Sequence, residues 1–285
     1  MMALKDIIKR YKFAIILIRA IRRIQFIIFP YIFSVISFNI KKILRVSRIY
    51  KNSSYEKLRS IKGKHKGERC FIVATGPSLT IQDLEKLKGE ITFSMNSICL
   101  AFDETEWRPT YYGIQGIHVF NQLKDHVTKL DVQGKFIGDT ISWPKINQND
   151  YIYPLNLLNH SQTHKKYKTQ FSDNAFSVVY DGYSITYSLI QIAVYMGFKE
   201  IYLLGVDCKY PKDMNHHFKE YGHVDPTFLS AVEKMINAYK VAKKFADSHN
   251  IKIYNATRGG MLEVFERVNL ETVLEKNTKL LKKSV

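Results

Sequence analysis

The chain has 285 residues, 46% of them apolar and 24% charged, and a net charge of +17. That composition excludes a disordered or low-complexity chain, and the length accommodates one large α/β domain with an appendage. The charge is unevenly placed: residues 1–69 carry 18 Lys and Arg against 3 acidic residues, a net of +15, which leaves +2 for residues 70–285. An enzyme of nucleic acids spreads its cations over groove-facing elements, so no nucleic-acid partner is expected. A basic head on a nearly neutral core suits an anionic membrane surface.

The first 50 residues form that head. Phe13, Leu17, Ala20, Ile24, Ile27 and Ile28 fall on one helical stripe and Lys12, Arg19 and Arg23 on another, the pattern of an interfacial amphipathic helix. From Ile24 to Ile40 the chain is uncharged but interrupted by Gln25, Pro30, Ser34, Ser37 and Asn39. At 17 residues it is short for a span, and cations flank both ends. Pro30 is expected to kink or end the helix, with a shallow re-entrant hairpin turning near it. The alternative is a helix pair packed on the core or on a second subunit. Residues 51–67 are polar and read as a linker, 68–270 as the catalytic domain and 271–285 as a basic tail.

Within the core, Arg69–Ala74, Ile91–Met95, Tyr111–Gln115 and Lys135–Gly138 read as strands. Residues 140–180 read as an insertion. Ser184–Met196 is a buried helix, Glu200–Val206 a central strand, Pro226–His249 a long amphipathic helix and Ile251–Tyr254 a last strand. The alternation predicts a Rossmann-like, mainly parallel sheet with helices on both faces.

In such a fold the carboxyl ends of the strands line the binding crevice. After the first strand comes Thr75-Gly76-Pro77-Ser78-Leu79, with Thr80 as an N-cap and Asp83 three residues on. Gly76 would let a ligand approach the backbone, Pro77 would preset the turn, and Thr75 or Ser78 would donate to a phosphate or ribose. The turn is neither GxGxxG nor a Walker loop. Asn96 and Gln115 end the next strands, as ribose or base ligands or as caps. Ser184, Asn255 and Thr257 are further candidates for donor binding. Arg258 is a phosphate contact or a surface cation. Asp207, after the central strand, is a metal ligand, a sugar contact or a loop cap, and no DxD pair accompanies it. Lys209, Tyr210, Asn215, His216, His217, Tyr221 and His223 follow, a cluster that offers a general base and a phosphate clamp. Its spacing is weak for zinc. Cys70, Cys99 and Cys208 have neither metal nor disulfide spacing, and fit reduced core residues of a cytoplasmic protein.

The blocks GERCFIVATGPSL, ITFSMNSICL, RPTYYGIQ, GYSITYSLIQIAVYMGFKEIYLLGVD, HHF and KIYNATRGGMLEVFERV together resemble, in order, the MptE-like family. That family is named for a 6-hydroxymethylpterin diphosphokinase, and many bacterial members resemble enzymes of surface-glycan synthesis. More distantly, the blocks resemble small bacterial CMP-sialyltransferases of lipooligosaccharide synthesis. This second resemblance implies a metal-independent, inverting glycosyltransferase without cofactor. It would act on a nucleotide-sugar donor, CMP-linked, and a glycan or glycolipid acceptor. It places Gly76, Pro77, Ser78 and Asn96 at the donor, with Thr75 where those enzymes have Asn. Tyr210 would hold phosphate and His223 would be the base, whereas the His-Phe pattern of the MptE-like family favours His217. The expected location is the cytoplasmic face of the bacterial inner membrane. A diphosphokinase would instead need ATP and Mg²⁺, with Asp207 as a metal ligand.

Overall fold

The structure, a computed structural model, describes residues 2–158, 169–209, 218–219 and 228–275. They fall into two compact units, one of residues 1–51 with 157–167 and the other of 52–156 with 168–285.

In the first unit, α1 (Met2–Arg23) runs through a π-helical turn, Ile24–Ile28, into α2 (Phe29–Val46) without an intervening loop. The helix therefore neither ends nor reverses at Pro30, contrary to expectation. Proline lacks an N–H and its ring crowds the carbonyl one turn back. The π turn widens the helix just before it, with Phe29 N–H donating to Ile24 O, and that absorbs the misfit. Large apolar side chains stand in solvent along this helix, among them Phe13, Ile16, Phe26, Phe29 and Phe33. Among the described residues, no helix is long and apolar enough to cross a membrane.

The second unit is built on an eight-stranded, all-parallel sheet. In chain order its strands are β1 (Arg69–Val73), β2 (Thr92–Met95), β3 (Tyr111–Ile114), β4 (Gly134–Gly138) and β5 (Asp150–Tyr153). A two-stranded ribbon of β6 (Leu155–Asn156) and β7 (Val179–Tyr180) follows. The sheet then resumes with β8 (Glu200–Leu204), β9 (Lys252–Asn255) and β10 (Glu266–Arg267). The spatial order is β10-β9-β8-β1-β2-β3-β4-β5, so the direction of winding reverses between β1 and β8.

The helices are α3 (Ile81–Lys86), α4 (Ile117–Lys129), α5 (Ile185–Met196) and α6 (Phe228–Ser248). Phe71 and Val73 of β1 pack in one apolar cluster with Leu84 and Leu87 near α3 and Phe120, Leu123 and Val127 of α4. The helix α5 lies against β1, β2 and β3 and is buried along nearly its whole length, as its apolar sequence requires. The fold is thus the doubly wound α/β architecture expected from the alternation of strands and helices.

Two boundaries differ from expectation. Residues 51–67 contain a 3₁₀ turn, Glu56–Ile61, whose Leu58 and Ile61 are buried, together with buried His65. Backbone bonds from Gly63, His65 and Gly67 to Tyr195, Met196 and Gly197 tie this stretch to the end of α5. It is part of the core. At the other end Val273 is buried and its carbonyl accepts from Arg69, so the packed chain extends beyond residue 270.

Candidate functional site

Parallel strands put their carboxyl ends on one rim, and a reversal of winding opens a crevice there. In this chain the turns after β1 and β8 meet at that point. An added Cβ on Gly76 would lie 2.1 Å from Asp207 Oδ2 and 2.5 Å from the Gly205 carbonyl. Gly76 is therefore required by the protein's own turn after β8. Ser78 closes the junction: its hydroxyl donates to Asp207 Oδ2 at 2.8 Å and its N–H to the same oxygen at 3.4 Å.

The rest of this turn is also committed. Gly76 N–H donates to Gly205 O, and Leu79 N–H to Gly76 O. Thr80 caps α3 in a reciprocal box, with its hydroxyl accepting from Asp83 N–H and its own N–H donating to Asp83 Oδ2 at 3.0 Å. Asp83 is buried, and Arg258 from the turn after β9 reaches both of its oxygens, one at 2.7 Å, and the Ser78 carbonyl at 3.0 Å. Arg258 is thus a structural cation. Burial alone would raise the Asp83 carboxyl. The Arg258 and Thr80 hydrogen bonds and the Arg258 charge outweigh it and hold the group below the ordinary carboxylate range.

Asp207 has the opposite balance. Burial raises its carboxyl, the Ser78 bonds and the Lys209 charge only partly oppose this, and the group titrates above the ordinary value. Among the described residues no cation lies within ion-pair distance of it, and apart from Ser78 and its own backbone N–H no group donates to the carboxylate. Its backbone is pinned from below: Met261 N–H donates to Asp207 O at 2.7 Å, and a Cβ on Gly260 would meet that carbonyl at 2.6 Å.

The other sequence-predicted residues divide in two. Gln115 is engaged at both ends of its amide: Oε1 accepts from Tyr153 and Ser188, and Nε2 donates to Asp181, a buried acid not singled out from the sequence. Ser184 caps α5 by accepting from Thr186 N–H. Asn255 and Thr257 are buried and hold their own loop: Asn255 donates to Leu262 O and accepts from Thr257 N–H, while the Thr257 hydroxyl accepts from Val206 N–H. These four position the rim.

Thr75 and Asn96 are different, since neither side chain has a hydrogen-bond partner among the described residues. Asn96 also holds a left-handed backbone, φ 48°, as do Cys208 at 47° and Tyr183 at 58°. All three lie at the carboxyl rim, after β2, after β8 and before α5. Non-glycine residues in this region carry strain that clusters at functional sites. Pro77 is exposed at the tip of the turn.

His217, His223, Tyr210 and Tyr221 lie outside the described residues, as do Asn215 and His216. Phe218, which follows His217, docks its N–H on Thr75 O at 2.8 Å. Among the described residues, no three His, Cys, Asp or Glu side chains come together as a metal site. Cys99 and Cys208 are buried, which pushes their thiols up to about 11 and about 12, and Cys70 is raised likewise, so they behave as core residues.

A doubly wound sheet whose winding reverses between β1 and β8, with polar groups gathered on its carboxyl rim, defines the Rossmann-like class. The family described as "6-hydroxymethylpterin diphosphokinase MptE-like" matches residues 45–213, and the chain belongs to that family. No curated protein matches the sequence. Among solved structures, the chain is similar to the MAf glycosyltransferase from Magnetospirillum magneticum AMB-1, with 14% identity and a TM-score of 0.44. That similarity covers 81% of this chain and 40% of the other, so the chain spans about two fifths of that enzyme's length.

Proposed function

We propose that this chain is a metal-independent, inverting glycosyltransferase that uses a CMP-linked sugar in bacterial surface-glycan synthesis, of lipopolysaccharide or capsule. The observation that carries this reading is the economy of the crevice floor. In the turn after β1 the N–H groups of Gly76, Ser78 and Leu79 already have protein acceptors and Pro77 has no N–H, and among the described residues Asp207 is the one carboxylate joined to it from β8. A diphosphokinase needs Mg²⁺ bridging the phosphates of ATP, held by oxygen ligands. The family's description favours that second reading, and the experiment below separates the two.

In the proposed reaction a histidine takes the proton of the acceptor hydroxyl. The acceptor oxygen forms a bond to the anomeric carbon, the bond from that carbon to the phosphate oxygen breaks, and CMP leaves with the electron pair. Because most of the turn's amides are committed, the charge on the departing phosphate falls to Tyr210 and Tyr221. Phe218, docked on Thr75, tethers the chain next to His217, and this supports His217 over His223 as the base. The exposed apolar side chains of α1 and α2, with the +15 charge of residues 1–69, support attachment to an anionic lipid surface at the cytoplasmic face of the inner membrane. A lipid-linked acceptor would be presented there.

The test is a transfer assay on the full chain with each histidine changed to Ala. A general base contributes roughly 10²- to 10⁴-fold. One of the two changes should lower turnover by that order and remove the acidic limb of the pH–rate profile, with chelator leaving the wild-type rate unchanged. Tolerance of both changes, with ATP turnover strictly dependent on Mg²⁺, gives the diphosphokinase instead. Flotation with anionic but not neutral vesicles, weakened by salt, is the expected result for attachment.

A further inference from the structure

We propose that Asp207 makes the turn after β1 a reader of hydroxyl groups, which binds the ribose diol of the nucleotide and rejects phosphate. This rests on the nucleotide-dependent reading above. The usual expectation for a strand–turn–helix at this place is a phosphate held by amides and a helix N-terminus. Here most of the donors are already used, the Thr75 N–H being the exception among the described residues. Gly76, Ser78, Leu79 and Thr80 each give their N–H to a protein acceptor, and Pro77 has none. The positive end of the short α3 is filled by the Asp83 carboxylate. A phosphate would have to displace Asp207 from Ser78 and then sit beside two carboxylates.

What the place lacks is donors. Apart from its own backbone N–H, the Asp207 carboxylate receives hydrogen bonds from Ser78 alone among the described residues, it is partly buried with no cation of those residues bonded to it, and burial has already raised its pKa. A vicinal diol supplies O–H donors to such an oxygen and keeps lone pairs for groups that can donate to it. Two such groups stand unused on the adjacent strand ends, the Thr75 hydroxyl after β1 and the Asn96 amide after β2. Ser78 fixes Oδ2, so the carboxylate presents Oδ1 in one orientation, and that makes it a selective acceptor. The phosphate of the same nucleotide then lies away from this turn.

The experiment is a binding comparison on the full-length chain with CMP and 2′,3′-dideoxy-CMP, and in parallel with ATP and 2′,3′-dideoxy-ATP. A hydrogen bond to a charged group changes affinity by about 10- to 100-fold. Wild type should prefer the diol by that factor. Asp207→Ala should bring the ratio to within about threefold, and Asp207→Asn, which keeps an uncharged acceptor, should fall between. Inorganic pyrophosphate should compete poorly against wild type and better against Asp207→Ala. A wild-type ratio near one overturns the proposal, as does a ratio unchanged in the variants, or no nucleotide binding at all. If ATP binds and CMP does not, and the ATP pair shows the ratio, the hydroxyl reader stands while the transferase reading falls. Should Asp207→Ala not fold, Ser78→Ala leaves the carboxylate but frees its orientation, and should reduce the ratio at least severalfold.

Discussion

Two carboxylates flank the turn after β1, and they live in opposite conditions. Asp83 is buried, caps a helix and accepts both arms of Arg258. Asp207 is partly buried, held by one serine through one oxygen, and has no cation bonded to it among the described residues. Both acids contact the same turn, yet one titrates below and the other above the ordinary carboxylate range. The contrast shows how to separate structural from functional polarity on a rim. A group whose hydrogen-bonding capacity is filled by the protein holds the fold, and a group left short of donors is left for a ligand.

The sharpest way to break the comparison is to push the two sides apart. Gly76→Val should do so, since its Cβ would fall within 2.1 Å of the Asp207 carboxylate and 2.5 Å of backbone at Gly205. Overpacking of this kind costs about 3 kcal/mol or more when the obstacle is backbone. Urea unfolding should show a large loss of stability. A variant as stable as wild type that has lost only ligand binding would mean that the glycine serves the ligand after all.

Next in size is the Asp83 side. Arg258→Met removes a cation that joins the turn after β9 to the start of α3. The Arg258 side chain is half exposed, so water screens part of the interaction, and a loss of about 1–3 kcal/mol is expected. The pH dependence gives an independent check. Because the Asp83 carboxyl is held down in the folded state, its contribution is present above the ordinary carboxylate range and is lost as pH falls through the lowered folded value. Asp83→Asn should therefore destabilise most at neutral pH and least in acid, and thermal melts across that range measure it.

Much of the fold is legible in the sequence because its strands are short buried runs and α5 is an unbroken apolar helix. The expected positions of β1, β2, β3, β4, β8 and α5 match the structure to within a few residues. What escaped has physical reasons. Leu58 and Ile61 are too few, in too polar a stretch, to give a helical or strand period, and their burial depends on the far end of α5. The π turn before Pro30 compensates a local rule that, read alone, ends a helix. The rim was legible as a place but not as a set of roles. Gln115, Asn255 and Thr257 look like ligands because they are polar at strand ends, yet their partners are other polar groups of the same rim. The joints Ser78–Asp207 and Asp83–Arg258 link residues 129 and 175 positions apart, a separation that no local pattern encodes.

The smallest expected effect sharpens the comparison most. For Asp207 the sign of the pH linkage reverses. Its folded pKa is raised, so the folded state loses stability as pH climbs from the ordinary carboxylate value through the raised one. Asp207→Asn abolishes that titration and keeps an oxygen for Ser78 to donate to. Its stability at neutral pH should equal that of wild type or exceed it by up to about 1 kcal/mol, the scale of a single hydrogen bond. The difference should shrink in acid, where the wild-type carboxyl is itself neutral. Paired melts of the two proteins across the acid range read this directly. If Asp207→Asn instead loses as much at neutral pH as Asp83→Asn, then both acids are structural and the carboxylate is not short of donors. The turn would then have no reason to select a hydroxyl over a phosphate, and among the described residues Asn96 and Thr75 would remain as the unspent groups of the crevice.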